Sequence, residues 1–432
     1  MSTVVEKMIN FLNKSHSEFN VCFNAKELLI ENGFIELKED ENRNIKPSGK
    51  YFITRNSNAV LAFKMPEKVD ELKFNIASTH LDSPNLKIKN NPVLIENNYQ
   101  KLKVETYGGL IKHVRYDKPL SIAGRIVIKD GPKLIEKIVD VDKDLLIIPS
   151  VAIHQFDSNN NLNVNPQIDL NPIIGVGDAN ENQFESLLNE MSESREVCAY
   201  DLYVYNREPA KVVGYKGDFV CGAKLDDTSS FFLSLLGLID SEETHSVEMI
   251  VGFDNEEVGS LSLSGADSDF LEVSLKRIAL SLGANEEELY KAYRKSFIMS
   301  VDNGHAVHPN HPEVSDNKNI VKLNEGIVLK FNGNMKYTTD AMSASVVKEI
   351  AQASDVPMQI FHNRSDARGG STLGNISIAH ASMLTADIGL PQLAMHSNYE
   401  TMGVDDVNYM YKFLKYFFSK RIEIKEGSIT IF

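Results

Sequence analysis

The sequence contains little cysteine and lacks any apolar stretch that approaches the length of a membrane span. Its three cysteines, Cys22, Cys198 and Cys221, are scattered through 432 residues. They form no Cys-x-x-Cys pair, and their odd number argues against a disulfide framework. We therefore expect a reducing compartment, the cytoplasm. A membrane span needs roughly 20 apolar residues, and residues 1–8 lack the basic and apolar regions of a signal peptide, so we expect neither a membrane partner nor secretion.

Basic residues are also too few to balance the acidic ones. The formal net charge is −15 at pH 7, which excludes nucleic acid as the main partner because phosphate binding needs a basic face. Tryptophan is absent, and this absence excludes no function. With 42% hydrophobic and 24% charged residues, the composition is typical of a soluble globular protein. The length predicts a large core and more than one domain.

The most informative segment is 253–259, where Glu256 and Glu257 follow the apolar run 247–253. Such a run is typical of a buried strand, and carboxylates at its end are costly to bury without partners. Adjacent side chains on a strand point to opposite sides, so the pair can share a site only if the chain turns there. Metal-dependent hydrolases use one such carboxylate as a metal ligand and the other as a general base. On its own, however, an adjacent pair of glutamates more often belongs to a solvated helix face.

The same setting recurs at four other positions, each at the end of an apolar segment: His80, Asp226, Asp302 and His396. Any one of these residues is more often structural than a ligand, but five in one setting are hard to obtain by chance. Together with Glu257 they supply two imidazoles and three carboxylates. This donor set suits a pair of Zn²⁺, Mn²⁺ or Co²⁺ ions with one carboxylate bridging.

The predicted elements divide the chain into three parts. Strand–helix alternation in the last part predicts an α/β sheet with helices on its faces, whereas short strand-like runs separated by turns make the middle part mostly β. His80 precedes the β-rich part, and the other four candidate ligands follow it. If all five lie close together in the folded protein, the β-rich part is an insertion into a discontinuous catalytic domain. The predicted parts are 1–83, 84–219 and 220–432. The predicted helices are 4–32, 228–239, 286–294, 340–353 and 405–418. The predicted strands include 102–106, 124–128, 145–149, 246–253, 297–301, 326–331 and 357–361.

With these residues assembled, the sequence resembles the M18 family of metalloaminopeptidases, the aspartyl aminopeptidase group. The resemblance extends from near the N-terminus to about Gly403. It departs from the family at Asp227, where the family usually has Asn, and between Gly109 and Leu120, where the family is usually rich in Trp. The motifs that carry the resemblance are 79–84 (THLDSP), 107–109 (YGG), 120–125 (LSIAGR), 148–154 (IPSVAIH), 225–227 (LDD), 254–260 (DNEEVGS), 305–310 (HAVHPN) and 391–397 (PQLAMHS).

The resemblance implies a role for each candidate residue. It implies that Glu256 is the general base, and that Asp82 orients the His80 imidazole through its second nitrogen. It implies that His154 reaches the active site of a neighbouring subunit and steadies the tetrahedral intermediate, and that Lys330 faces an acidic substrate side chain. The implied metal ligands are His80, Asp226 (bridging), Glu257, Asp302 and His396.

The implied protein is an α/β enzyme with a two-metal aminopeptidase-like catalytic domain and a mostly β oligomerisation domain inserted into it. We expect it to hold two divalent ions, first of all Zn²⁺, and to remove N-terminal Asp or Glu from peptides. We also expect a homo-oligomer, by resemblance a tetrahedral dodecamer built from dimers.

Several alternatives stay open at this point. The enzyme alternatives are an aminopeptidase with a broad or apolar preference and a two-metal amidohydrolase or deacylase of related fold. A non-catalytic scaffold is the third. Lys330 fits the solvated face of a strand equally well, Asp82 fits a turn cap, and a structural role suits His305 and His308 better than a catalytic one.

Overall fold

The computed structural model describes residues 3–155, 163–177, 182–242, 245–367, 369–370 and 372–432. None of the helices in these ranges is long and apolar enough to cross a membrane. The helices are α1 (Val4–Leu12), α2 (Glu18–Glu31), α3 (Pro166–Asp169), α4 (Gln183–Ser192), α5 (Leu225–Asp240), α6 (Phe270–Ser281), α7 (Glu286–Arg294), α8 (Ala341–Ala353), α9 (Leu373–His380) and α10 (Val404–Phe417).

A nine-stranded sheet forms the centre of the fold, in the spatial order β1-β2-β3-β13-β4-β14-β18-β16-β17. Strand β4 pairs in parallel with β13 on one side and β14 on the other, and β14 pairs in parallel with β18. The carboxyl ends of these four strands therefore meet at one edge of the sheet, where open α/β sheets bind ligands. The strands are β1 (Ile35–Glu36), β2 (Lys50–Arg55), β3 (Ala59–Lys64), β4 (Phe74–His80), β13 (Val247–Phe253), β14 (Phe297–Val301), β16 (Ile327–Phe331), β17 (Met358–His362) and β18 (Leu384–Gly389).

Helices cover both faces of this sheet, and the alternation of strand side chains divides the core between them. In β13, Ile250 packs into the layer that contains α1, α5 and α10. Its neighbours Met249 and Val251 pack on the opposite face, in the layer that contains α6 and α7. All seven residues of β13 are buried, which is why its sequence is a continuous apolar run rather than an alternating one.

The chain between the first and last parts of the central sheet forms a separate six-stranded antiparallel sheet, in the order β8-β7-β10-β5-β6-β9. Its strands are β5 (Asn85–Glu96), β6 (Tyr99–Tyr107), β7 (Leu120–Asp130), β8 (Lys133–Asp140), β9 (Ile173–Val176) and β10 (Val197–Asn206). The α/β class with a mostly β segment set into it is thereby confirmed.

A smaller sheet and a hairpin complete the fold. The five-stranded sheet has the order β11-β12-β20-β19-β15, and it joins two strands before α5 to three that come later. The divisions after residues 83 and 219 stay predictions. The remaining strands are β11 (Lys211–Val213), β12 (Phe219–Gly222), β15 (Gly304–His305), β19 (Pro391–Leu393), β20 (Glu400–Gly403), β21 (Ile422–Lys425) and β22 (Ser428–Ile431).

Most predicted helices and strands agree with the structure to within a few residues, but two predictions are wrong. Residues 4–32 form two helices rather than one, because the second helix has its own N-cap: the Ser17 hydroxyl accepts a hydrogen bond from the Asn20 amide. Residues 145–149 form isolated bridges at Leu146 and Ile147 rather than a strand. Helices α3, α4, α6 and α9 were not predicted.

Candidate active site

The residues predicted to form the site converge on one cavity of about 480 Å³. Asp82, 1% exposed, is buried next to His80. His154 is exposed, and it is not part of the described lining of this cavity. The predicted residues that line the cavity are His80, Asp226, Glu256, Glu257, Asp302, Lys330 and His396.

The ends of the parallel strands place these side chains at one edge of the sheet. His80 is the last residue of β4, and Asp302 follows β14 directly. After β13 the chain makes a single 3₁₀ turn, Glu256–Val258, flanked by left-handed residues, Asn255 at φ 59° and Gly259 at φ 99°. This is the turn that the two adjacent carboxylates need if both are to reach one cavity.

Asp226 lies between the two histidines. Its Oδ1 is 3.6 Å from Nε2 of His80, and its Oδ2 is 3.5 Å from Nε2 of His396. The residue is 3% exposed, and Oδ1 has no hydrogen-bond partner among the described residues. A buried carboxylate oxygen without a donor is costly, and a cation shared with the neighbouring imidazole would satisfy it.

Both imidazoles are fixed by main-chain carbonyl groups. His80 Nδ1 lies 3.0 Å from the carbonyl oxygen of Asp82, and His396 Nδ1 lies 3.0 Å from that of Gly109. A carbonyl oxygen can only accept, so each Nδ1 donates and each Nε2 is left to face carboxylate oxygens. Nε2 of His80 lies 3.8 Å from Oδ1 of Asp302. Nε2 of His396 lies 3.4 Å from Oε1 of Glu257. This orientation of imidazoles is the one found around bound metal ions.

The charges of the cavity also favour a cation. Burial, together with the charges of Asp302 and Asp82 and against the effect of His80, raises the pKa of Glu256 to about 8. Burial and the charge of Asp226 hold the pKa of Glu257 well above its usual range. Among the described residues, three groups of three donors have ligand atoms within 4.8 Å of one another: Asp226, Glu257 and His396; His80, Asp227 and Asp302; and His80, Glu256 and Glu257. Imidazole and carboxylate donors at this spacing fit divalent zinc.

The Asp82 carboxylate holds the turn that carries the two glutamates. Its Oδ1 accepts the amide of Glu256 and its Oδ2 accepts the amide of Glu257, both at 3.1 Å. The Tyr107 hydroxyl donates to the same Oδ2 at 2.7 Å. The carboxylate lies 3.4 Å from Nδ1 of His80, so the main-chain oxygen of Asp82 makes the closer contact with that ring. The sequence around residues 79–84 does not reveal this contact, because the partners of the Asp82 carboxylate in the turn are main-chain amides.

Lys330 is buried in β16 beside the cavity, with 2% of its surface exposed. Its Nζ donates to the carbonyl oxygen of Asn303 at 2.7 Å and to Asp302 Oδ2 at 3.4 Å, and it lies 5.4 Å from the centre of the Tyr337 ring. Burial lowers the pKa of Lys330, but Asp302, Tyr337 and Asp387 outweigh this effect and raise it. The alternative that placed Lys330 on a solvated face is therefore wrong.

Two other candidates and one unpredicted residue complete the description. His305 lines the cavity, whereas the ring of His308 packs 5.3 Å from that of His311. Glu400 was not singled out from the sequence, yet its two carboxylate oxygens accept the amides of Asp226 and His396. Its position four residues after His396 is the only sequence signal that points to it.

The chain is similar to known proteins over nearly its whole length. The family model for aminopeptidase I zinc metalloprotease (M18) matches residues 11–418. A probable M18 family aminopeptidase 2 of Clostridium novyi is 40% identical over 423 residues, which cover 96% of this chain and 98% of that protein. A chain in the solved structure of the Ape4 and Nbr1 complex has 33% sequence identity to this protein and superimposes on it with a TM-score of 0.92. The match covers 96% of this chain and 85% of that chain. The Saccharomyces cerevisiae mApe1 dodecamer, 24% identical with a TM-score of 0.82 and 96% coverage of both chains, shares the fold.

The fold and these matches define a zinc metallopeptidase that acts at the N-terminus of peptides. The chain belongs to the M18 family of aminopeptidases. The predicted family is thereby confirmed, and the alternatives of a deacylase and of a non-catalytic scaffold are wrong.

Proposed function

We propose that this aminopeptidase holds two divalent ions, zinc first of all, in two sites that share Asp226. The His80 site consists of His80, Asp226 and Asp302, and the His396 site consists of Asp226, Glu257 and His396. The position of Asp226, with one oxygen toward each imidazole at 3.6 Å and 3.5 Å, is the observation that carries this proposal. Bound zinc supplies Lewis acidity, which makes water a stronger acid and a peptide carbonyl a better electrophile.

Glu256 is the general base in this proposal. It lines the cavity but belongs to neither ion site as defined, so its carboxylate is free for proton transfer. Burial raises the pKa of Glu256 above that of a free glutamate, and a carboxyl group whose pKa lies nearer the working pH can both accept and return a proton. Glu256 takes a proton from the attacking water and gives it to the leaving amine. The Asp82 carboxylate accepts a hydrogen bond from the main-chain amide of Glu256, and this bond fixes the position of Glu256 beside the cavity.

Substitution of Glu256 by Gln tests this role, with Glu257→Gln as the matched comparison in the same turn. We expect Glu256→Gln to retain both ions and to lose about 10²–10⁴ in kcat, because an amide cannot accept the proton. We expect Glu257→Gln to lose an ion. Metal analysis and kcat are measured on both purified variants. Near-normal kcat in Glu256→Gln would show that another group is the base.

We further propose that the substrates are peptides with N-terminal Asp or Glu. The buried ammonium of Lys330 supports this preference, since it has three donors and two acceptors among the described residues, Asn303 O and Asp302. A substrate carboxylate would be the third acceptor. A hydrogen bond to a charged group contributes about 1.5–3 kcal/mol, which corresponds to roughly ten- to a hundredfold selectivity.

The specificity is tested by kcat/KM for Asp-, Glu-, Leu- and Lys-peptides with the wild type and Lys330→Leu. The exposed Lys322 provides the control variant, Lys322→Leu. We expect the acidic preference to disappear only in Lys330→Leu. A wild type that prefers Leu would establish the alternative of an apolar preference and leave the aminopeptidase assignment intact.

A homo-oligomer is part of the same proposal. The related mApe1 is described as a dodecamer. In this chain the exposed His154 directly follows a segment with two exposed apolar side chains, Val151 and Ile153, each 56% exposed, a surface that suits contact with another subunit. Light scattering measures the assembly, and a fully active monomer would contradict it. Mixing His154→Ala with Glu256→Gln subunits should restore part of the activity if His154 acts across the contact. Three free cysteines support a reducing compartment, the cytoplasm.

A further inference from the structure

Glu400 connects the main chains of two proposed metal ligands that are far apart in sequence. Its Oε1 accepts the amide of His396 at 2.7 Å, and its Oε2 accepts the amide of Asp226 at 3.1 Å. Glu400 is 1% exposed and is the first residue of β20. One buried carboxylate thus joins the start of α5 to the loop that follows β19.

Both ligand residues leave regular backbone geometry where Glu400 binds them. His396 has φ 67°, a left-handed conformation that is unfavourable for a residue with a side chain. Asp226 has φ −85° and ψ 113°, which is not helical although it lies within the first turn of α5. Their amides therefore lack the partners that a helix or strand provides, and Glu400 supplies both. Residues in such conformations persist only where the surroundings hold them.

We propose that Glu400 is a positioning residue that sets the relative position of Asp226 and His396, and through them the geometry of the His396 site. This inference rests on the proposed ligand set. Glu400 does not line the described cavity, so it acts through the two ligands rather than on the substrate.

The contacts predict an unequal effect on the two ion sites. The His396 site contains both residues that Glu400 holds, whereas the His80 site shares only Asp226. His80 is instead held by the main-chain oxygen of Asp82. Loss of a group that orients a metal ligand typically costs 10–100-fold in metal affinity. A general loss of structure would weaken both sites together.

Titration of the metal-free protein with Co²⁺, followed by visible absorption, tests this asymmetry without an activity assay. Glu400→Gln keeps the size of the side chain but offers an NH₂ group to one of the two amides, so one hydrogen bond is lost. We expect Co²⁺ affinity to fall about 10–100-fold at the His396 site and to stay close to that of the wild type at the His80 site. We expect kcat to fall while KM changes little.

Glu248→Gln is the matched control. Glu248 is also a fully buried glutamate, 0% exposed, but it lies at the start of β13 and accepts a hydrogen bond from Asn75. We expect both Co²⁺ affinities and kcat to stay unchanged in this variant. If Glu400→Gln does not fold, Glu400→Asp is measured in the same way, and the same unequal loss is expected because both oxygens are drawn back from the amides.

The outcomes separate this inference from the proposed function. A Glu400 variant with wild-type affinity at both sites, or with equal losses at both, overturns the positioning role. A wild type that binds fewer than two Co²⁺ ions, or an Asp226→Asn variant that still binds both tightly, overturns the proposed ligand set and this inference with it.

Discussion

Removal of the Tyr107 hydroxyl should weaken the turn that carries the proposed base. Burial and the charges of Asp82 and Asp254 raise the pKa of Tyr107 far above its usual range, so the hydroxyl keeps its proton and donates to Asp82 Oδ2 at 2.7 Å. The same oxygen accepts the Glu257 amide, and the hydroxyl accepts from Asn255 Nδ2 at 2.9 Å. Tyr107 thus positions the Asp82 carboxylate, which binds the amides of the Glu256–Val258 turn.

The magnitude follows from the kind of bond that Tyr107→Phe removes. A hydrogen bond to a charged group contributes about 1.5–3 kcal/mol, so the free energy of unfolding should fall by that amount. Loss of a group that supports a metal site also costs about 10–100-fold in activity or metal affinity, and we expect kcat to fall about tenfold. KM should change little, because Tyr107 is not part of the described lining of the cavity.

Tyr200→Phe is the control for this prediction. Tyr200 lies in the same six-stranded sheet, and its hydroxyl donates to the neutral carbonyl of Lys89 at 2.8 Å. Its removal should cost about 0.5–1.5 kcal/mol of unfolding free energy and leave kcat unchanged. Urea unfolding and steady-state kinetics are measured on both variants. If Tyr107→Phe loses stability but keeps kcat within about twofold, this hydroxyl does not support the metal site and serves only the fold.

Three further predictions concern the ions, the packing and the pH dependence. Chelation should abolish activity and lower the thermal unfolding midpoint, with both restored by Zn²⁺, because an ion bound only to the folded state stabilises it; an unchanged midpoint would contradict this. In Gly389→Ala the new Cβ would lie 2.0 Å from the Asp302 carbonyl oxygen. The free energy of unfolding should therefore fall by about 1–3 kcal/mol, and the Zn²⁺ content should drop. The control is Gly333→Ala, whose new Cβ would face open space and should change neither quantity. Burial raises the pKa of the Glu18 carboxyl group from 4.5 to about 7 in the folded protein. As pH rises from about 4.5 to about 7, the unfolded chain therefore loses the carboxyl proton before the folded protein does, and the free energy of unfolding of the wild type falls. In urea unfolding, the free energy of unfolding of Glu18→Gln relative to the wild type should rise by up to about 3 kcal/mol between about pH 5 and pH 8. An equal difference between the two proteins at both pH values would refute the raised pKa of Glu18.

The convergence of the site could be predicted because its residues follow strands that end at one edge. His80, Glu257 and Asp302 each follow a parallel strand of the central sheet, and the apolar runs before them mark those strands in the sequence. Parallel strands bring their carboxyl ends together. The meeting of these side chains therefore needs no knowledge of the connections between them.

The contacts that hold the site could not be predicted, because they join side chains to main-chain groups. Glu400 binds two amides, one of them at Asp226, and no pattern of residue types marks such an amide. Helix α9 has apolar side chains without one apolar face, so its sequence lacks helical periodicity. Helix α6 differs, since Leu271, Leu275 and Ile278 are buried at helical spacing, and its sequence does carry the pattern of a helix.

The strand order of the central sheet has a consequence for synthesis on the ribosome. Residues 74–80 form a fully buried strand whose two neighbours, residues 247–253 and 297–301, are translated long after it. All strands of the six-stranded sheet lie within residues 85–206, so this sheet can fold while those neighbours are still missing. Until they emerge, an apolar strand with both edges unpaired is exposed to other chains, which favours aggregation. The nascent chain therefore has a long interval in which a chaperone bound to residues 74–80 is of most use.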